Sequence, residues 1–475
     1  MLPTSPIKDS LKALYINSPE NYLTRLCHFK SDCDKKPKRK GSVAYGKRQR
    51  ARALFSGVFL LLVISLLGAY TIPIFAVFLF AIYTLSAYLT LMLALFLLPI
   101  AVALGHSAQY IALTSALCAL LTLAKNERAR ITPLDLGIGA FAVLYLTAGI
   151  LFGISSFISS LIFLFSLLSY YTASRAITSD RGLLAFTDML LLSSSLHSVW
   201  ALIDFLLNPT IREEWLDPLT SGLFPRLTGA FSNPNILSVY LLFTTLLSLA
   251  TAISCKGLKR YLYALSLLLN GSCLLLTYTR GAYIAFAVGA IFLILLLKPR
   301  AIRWLPFIAP PLLFFGAQGG FIKRLLSVFN SNDGSVSSRL SLLRSSLFMV
   351  RDNFLVGIGV GQERFTEAYA EYAEGGVFAP HSHNTLLQIA LEGGVPLLIA
   401  FIYILYLLLK LAVSYFWGRV RTRCDGILLG YVSGATSVLV FGLFDNIFYA
   451  PHSVFLFFTV LGVLSSYMTK EVLND

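Results

Sequence analysis

Charge is what this chain lacks. Only 13% of its residues are charged while 57% are hydrophobic, and the mean hydropathy is +0.75. An ordinary soluble globule carries about 25% charged residues, so that class is excluded. Acidic residues are the scarcer sign, 23 Asp and Glu against 38 Lys and Arg, for a formal charge of +15. The Lys and Arg sit in short segments between apolar runs, so the excess reads as membrane orientation and no nucleic acid is expected as a partner. Cysteine is scarce too, with six in the chain. Cys27, Cys33, Cys255 and Cys424 fall in segments read as cytoplasmic, and Cys118 and Cys273 fall inside apolar runs. No extracytoplasmic disulfide is therefore expected. Cys27 and Cys33 lack a second ligand pair at zinc spacing, so no metal site is expected there, and no cofactor is expected. No apolar stretch opens the chain, which speaks against a cleavable signal peptide. The short alternating segments of a membrane β-barrel are missing as well.

What the chain has is apolar runs, repeatedly of the about 17–25 residues that cross a bilayer as a helix. The expected fold is an all-α integral membrane protein with about 14 transmembrane helices, in a range of about 12–14 at 20 residues per span. Basic connections at 125–130, 175–181, 256–260, 298–303 and 419–423 assign the cytoplasmic side, with both termini there and the chain multi-pass. The block 53–124 then holds an even number of spans, read as four short ones broken near residues 70–73, Thr90 and His106. Further spans are expected at about 134–152, 155–172, 183–207, 235–254, 261–279, 282–297, 304–319, 385–409, 427–445 and 453–468. The organisation is a basic tail over 1–52, expected to be disordered, an N-terminal bundle over 53–182, a second region over 183–468 and a short tail over 469–475. Two polar loops, 208–235 and 320–384, are left outside, and loops of the second one's length are usually functional.

Ala379-Pro380-His381-Ser382-His383-Asn384 opens the apolar run that Glu392-Gly393-Gly394 interrupts. Ionisable groups at membrane depth are functional candidates by default. His383 is suited to act as a general base or hydrogen-bond donor; the plainer reading makes it a helix-start residue beside Asn384 as N-cap. Glu392 either anchors the loop by hydrogen bonds or neutralises an arginine, and Gly393 and Gly394 permit close helix approach. Arg226, Arg280, Arg339, Arg344 and Arg351 all fall outside, against the positive-inside trend. The last three lie on a stretch, 337–352, whose Leu340, Leu343, Leu347 and Val350 recur at helical spacing, as in a helix on a membrane surface or over a cavity mouth. Guanidinium forks match phosphate and diphosphate oxygens. The alternative is local pairing with Asp333, Asp352, Glu363, Glu367, Glu371 or Glu374. Arg280 has no acid near it in sequence. Asp204, His197 and Asp445-Asn446 are expected to be structural.

Four segments together, Leu227 to Asn235, Thr279-Arg280-Gly281, Asp352 to Gly359 and Pro380-His381-Ser382-His383-Asn384, resemble the O-antigen ligase and polymerase family, over roughly residues 185–465. The resemblance implies a GT-C-like membrane glycosyltransferase. It would take a glycan from an undecaprenyl-diphosphate carrier at the outer membrane face and pass it to a glycan or lipid acceptor, without a metal. It also implies His383, Arg280 and Arg339 as catalytic residues, with the arginines on the diphosphate and the histidine at the acceptor. Arg226, Arg344, His381, Asn384 and Glu392 are substrate-binding candidates. Leu397 stands where the last glycine of the ligase pattern falls. The competing class is a transporter of a small anion such as bicarbonate; it predicts polar groups at mid-membrane and repeated halves, and the chain has polar groups at its outer lip and no internal repeat. A non-catalytic scaffold would leave the clustered arginines and histidines unexplained.

Overall fold

The computed structural model describes residues 87–105, 107–124, 131–209, 225–297, 334–373, 379–416 and 422–474. The basic tail, the breaks expected near residues 70–73 and the span expected at 304–319 lie outside these residues. Among the described residues there are thirteen α-helices and no strand. In chain order they are α1 (Ala87–Ala103), α2 (Ser107–Ala124), α3 (Asp135–Leu151), α4 (Ile154–Ala176), α5 (Asp180–Leu207), α6 (Pro234–Ser254) and α7 (Leu258–Leu276). They continue with α8 (Arg280–Leu297), α9 (Gly334–Asp352), α10 (Gln362–Tyr369), α11 (Thr385–Phe416), α12 (Arg423–Phe441) and α13 (Pro451–Asn474). Seven are long and apolar enough to span a membrane, and α1 and α3 are shorter apolar helices. The protein is an all-α integral membrane protein.

Most span boundaries fall within a few residues of the hydropathy reading. Thr90 is the exception: it lies inside α1, buried, and breaks nothing. A hydroxyl can hydrogen-bond within its own helix, so one threonine in an apolar run is no stop signal. The break near His106 is present. There α1 ends in a turn through Gly105 (φ 73°) and α2 begins at Ser107. The span expected at 427–445 stops at Phe441, which frees residues 442–450 as a turn. Thr385 at the start of α11 holds that turn: its N–H donates to the Gly442 carbonyl (2.7 Å), its hydroxyl donates to the Asp445 carbonyl (3.0 Å) and accepts from the Ile447 N–H (3.0 Å).

Burial sorts the helices. The apolar window of α13 is 100% buried and those of α6 and α12 are 83% buried, against 33–39% for the other long spans. These three form the middle of the bundle, and the rest show one side outward. The sequence of α12 explains its place. Gly426, Gly430 and Gly434 recur every four residues and lie against Ser254, Ala250 and Phe243 of α6. Small residues at this spacing let two helix backbones meet closely in lipid. A Cβ at Gly430 would sit 2.6 Å from the Ala250 Cβ. Gly430→Leu should therefore cost about 1–3 kcal/mol or more through overpacking, read as a lower melting temperature in detergent. Helix α4 packs along α13, and one buried apolar cluster runs through both the N-terminal helices and the later region.

Among the described residues, charged side chains make their contacts toward two ends, while serines and Asn270 pair within the spans. One end carries Arg175–Asp135 (3.4 Å), Lys259–Asp188 (2.9 Å), the Arg423–Tyr263 hydrogen bond (3.4 Å) and Lys470 on the Thr178 carbonyl (3.2 Å). The other end gathers the turns 225–233, 277–279, 379–384 and 442–450 and carries the candidate site.

Helix α11 is broken at Gly393 (φ −137°, ψ 21°) and Gly394 (φ 74°, ψ 179°), with Pro396 just beyond. A break orphans backbone groups inside the bundle, and each must find a partner. The segment after α9 supplies them: Ile358 N–H donates to the Leu391 carbonyl (2.7 Å), and Val395 N–H donates to the Phe354 carbonyl (2.8 Å). Gly357 (φ 76°) makes this fit possible, since a Cβ there would lie 2.4 Å from the Leu391 oxygen.

Candidate active site

Asp445 is the centre of the site. It lies in the turn between α12 and α13, 5% exposed. Its Oδ1 faces His383 Nδ1 at 2.9 Å and accepts the Asn446 N–H at 2.8 Å, while its Oδ2 accepts Asn235 Nδ2 at 2.5 Å. Burial by itself would raise this carboxyl's pKa; the hydrogen bond from His383 leads the effects that outweigh it and hold the group well below the usual carboxylate range. An ionised carboxylate only accepts. His383 Nδ1 must therefore carry the proton in this bond, which leaves Nε2 of the neutral ring as an acceptor. The His383 side chain is 27% exposed, so that nitrogen is within reach of a ligand.

His381 plays a different part. Its Nδ1 accepts the backbone N–H of His383 (3.2 Å), so that nitrogen is unprotonated. Burial lowers the His381 pKa to about 4, with His383 and Arg339 acting the same way and Asp445 opposing. Its 3.9 Å approach to Asp445 is then a contact of a neutral ring and not an ion pair. The ring packs against His383 (4.2 Å between centroids) and Tyr449 (4.6 Å). His381, His383 and Asp445 each offer one donor atom within 4.8 Å of the others, a set with the chemistry to hold a cation. A small recess opens beside them, lined also by Asn233, Asn235 and Tyr449.

A lowered histidine pKa carries a stability signature. The fold favours neutral His381, so its contribution is fully present above the ordinary value of 6.5 and is lost as pH falls toward about 4. The loss is on the order of 3 kcal/mol for a group this buried. The melting temperature should fall across that window, and His381→Gln should flatten the fall; an unchanged slope would exclude His381 as its source.

The arginines divide. Arg226 is half-buried and engaged: Nε donates to the Thr277 carbonyl (2.8 Å), and Nη2 donates to Asn235 Oδ1 (3.2 Å) and Thr279 Oγ1 (3.0 Å). It locks the turn before α8 to Asn235, which in turn holds Asp445. Arg280, the next residue after Thr279, opens α8, and Gly281 packs on Phe444 in the Asp445 turn, where a Cβ would lie 2.9 Å from the Phe444 Cβ. Arg339 on α9 is half-buried and acts electrostatically on both His381 and Asp445. His383 and His381 line the recess; Arg280 and Arg339 stand outside its lining. Arg344 is exposed on α9, and Arg351 pairs with Asp352 at 2.8 Å, the local partner its sequence offered.

Two other candidates face protein. Asn384 caps α11, its Oδ1 accepting the Leu387 N–H (3.1 Å) and its Nδ2 donating to the Leu443 carbonyl (3.2 Å). Glu392 accepts from Tyr145 (2.8 Å) and from Gln388 Nε2 (3.1 Å), and Gln388 Oε1 accepts the Ser382 N–H (3.0 Å). Glu392 thus anchors the histidine loop through Gln388, one of the two roles expected for it. Asp445, expected to be structural, and Asn235, the end of one motif segment, are the partners whose part at the site sequence reasoning did not give. The available signal was a carboxylate between two apolar runs at the same end as the histidines.

Backbone strain marks the same place. Among the described residues, the non-glycine positions with positive φ are Ser232 (55°), Tyr278 (49°) and His383 (49°). They belong to the three turns that carry Arg226 and Asn235, Arg280, and the histidines. Strained conformations of this kind concentrate at functional sites.

Fold and site together define a membrane-embedded protein with a histidine–carboxylate pair at a polar recess on one end of a helical bundle. The family model for O-antigen ligase matches residues 265–402. The match takes in Arg280, Arg339, Arg344, His381, His383, Asn384 and Glu392, and leaves Arg226 and Asp445 outside. No curated protein matched the chain.

Proposed function

We propose that the protein transfers a glycan from an undecaprenyl-diphosphate-linked donor to a glycan or lipid acceptor at the outer face of the bacterial cytoplasmic membrane. The observation that carries this reading is the His383–Asp445 pair, whose geometry leaves His383 Nε2 free at the recess. An acceptor hydroxyl donates its proton to that nitrogen while its oxygen attacks the anomeric carbon of the donor sugar. The bond from that carbon to the diphosphate oxygen breaks with inversion, and the electron pair leaves with the diphosphate. Charge grows on the leaving group, and fixed cations aimed at growing charge are usually the largest catalytic term. Arg280 and Arg339 supply them. Arg226, Asn235, Asn384 and Glu392 position the turns, and His381 supports the His383 ring.

The reaction runs without a metal in this reading, since hydrogen bonds already engage His383 Nδ1, His381 Nδ1 and both Asp445 oxygens. The basic connections at 175–181 and 256–260, at the opposite end of the bundle, support an outer-face site with both termini in the cytoplasm. The test is transfer by the purified full chain from a synthetic polyprenyl-diphosphate glycan, with and without a chelator. Wild type should turn over equally in both, whereas Arg280→Ala and Arg339→Ala should lose ~10²-fold or more, the usual cost of one electrostatic contact in a transition state. Full activity in both variants would sink the assignment, and loss with the chelator would make the three-donor cluster a metal site.

A further inference from the structure

Helix α9 is packed inside out. Leu342, Ser345, Ser346 and Met349 are buried, two of them serines at 1% and 0% exposure. The opposite face shows Leu340 (49%), Leu343 (36%), Leu347 (52%) and Phe348 (46%). At 3.6 residues per turn these four fall on one stripe with Arg344 and Arg351. The exposed apolar surface continues past the helix through Phe354, Leu355 and Val356 (54%, 69% and 46%), beside the break in α11, whose next turns expose Ile399 and Ile402. In water this arrangement is backwards, because each large apolar side chain left exposed forgoes the gain of burial. Against acyl chains it is the favourable arrangement.

We propose that α9 lies in the membrane leaflet on the site's side, with Leu340, Leu343, Leu347 and Phe348 among the acyl chains and Arg344 on lipid phosphates. The occupant is bilayer phospholipid. Apolar side chains interleaved with arginine on one face are the pattern of an interfacial helix, in which the stem stays among the chains and the guanidinium rises to the headgroups. Arg351 fits this level, stacked 5.2 Å over the Phe348 ring and paired with Asp352. Arg339 leaves the stripe and turns to the site. One helix thus has a lipid side and a site side, and the membrane fixes the depth of the histidine recess. This seating holds whatever the chain transfers.

The test uses full-length protein with Cys27 and Cys33 replaced by serine, the other four cysteines being buried, in one-copy phospholipid nanodiscs. Nitroxides are placed at Leu343→Cys and Leu347→Cys, with Glu371→Cys as an exposed reference on the same side. Collision with oxygen should exceed collision with a water-soluble nickel chelate several-fold at the two leucine positions, and the order should reverse at 371. Nickel exceeding oxygen at 343 and 347 would place the face in water and overturn the proposal. Protection from both reagents would place it against protein and overturn it equally. The labels sit on exposed side chains, so folding is not at stake. Glycan transfer, assayed separately on the same samples, reports on the proposed reaction alone.

Discussion

His383→Ala should reduce glycan transfer by ~10²–10⁴-fold, the range a general base supplies, with unchanged protein in the membrane. Asp445→Asn should do nearly as much harm without touching substrate. An amide in place of the carboxylate donates to His383 Nδ1, turns the ring to its other tautomer and puts a hydrogen on Nε2, where an acceptor is needed. The two residues act as one unit, so the double substitution should be no worse than His383→Ala alone. Initial rates of the three variants at saturating donor decide the matter. Losses that multiply would mean that Asp445 works independently of His383, and the proposed positioning role would be wrong.

The second large effect concerns the broken helix. Gly357→Val should cost about 4 kcal/mol or more, at the upper end for one substitution. The new Cβ would meet the Leu391 oxygen at 2.4 Å and the Gly394 nitrogen at 2.7 Å, both backbone atoms, at a positive φ that a β-branched residue resists. Those atoms belong to the bonds that satisfy the break. Little monodisperse protein should survive detergent extraction, whereas Gly139→Ala, which meets nothing within 4 Å, should extract as wild type. The same break accounts for Leu397. A Cβ at Gly393 would lie 2.6 Å from Leu397 Cδ2, and Leu397 is fully buried. Here the side chain fills the space that a glycine at 397 would leave to its neighbours. Leu397→Gly should accordingly destabilise by about 2–5 kcal/mol, the cost of a buried leucine cavity.

Hydropathy and basic loops made most span boundaries legible, because span length is set by the bilayer and not by tertiary contacts. Thr90 was misread since polarity alone does not stop a helix. Which spans lie in the middle was not legible: hydropathy does not sort them, the central α6 exceeding the outer α4 and α5, and only the glycine spacing of α12 hints at close packing. On α9 the period was visible but not which side it buries, because leucines point outward where lipid is the solvent. At the site, the histidine loop and the arginines stood out as polar residues in apolar surroundings. Asp445 did not, since its partner is 62 residues away in sequence and only the turn held by Thr385 brings them together. Asn384 and Glu392 showed the converse, with polarity that serves the backbone and the loop.

Ser232, Tyr278 and His383, held near φ of +50°, bear on what happens when the protein is warmed. Such residues cost of order 1–3 kcal/mol each, a cost met during folding by the packing that surrounds them. Turns held against their own preference relax as soon as that packing loosens, before the buried helices α6, α12 and α13 separate. Activity should then disappear several degrees below the melting temperature of the bundle and return on cooling, leaving a window in which the protein is intact, inserted and inactive.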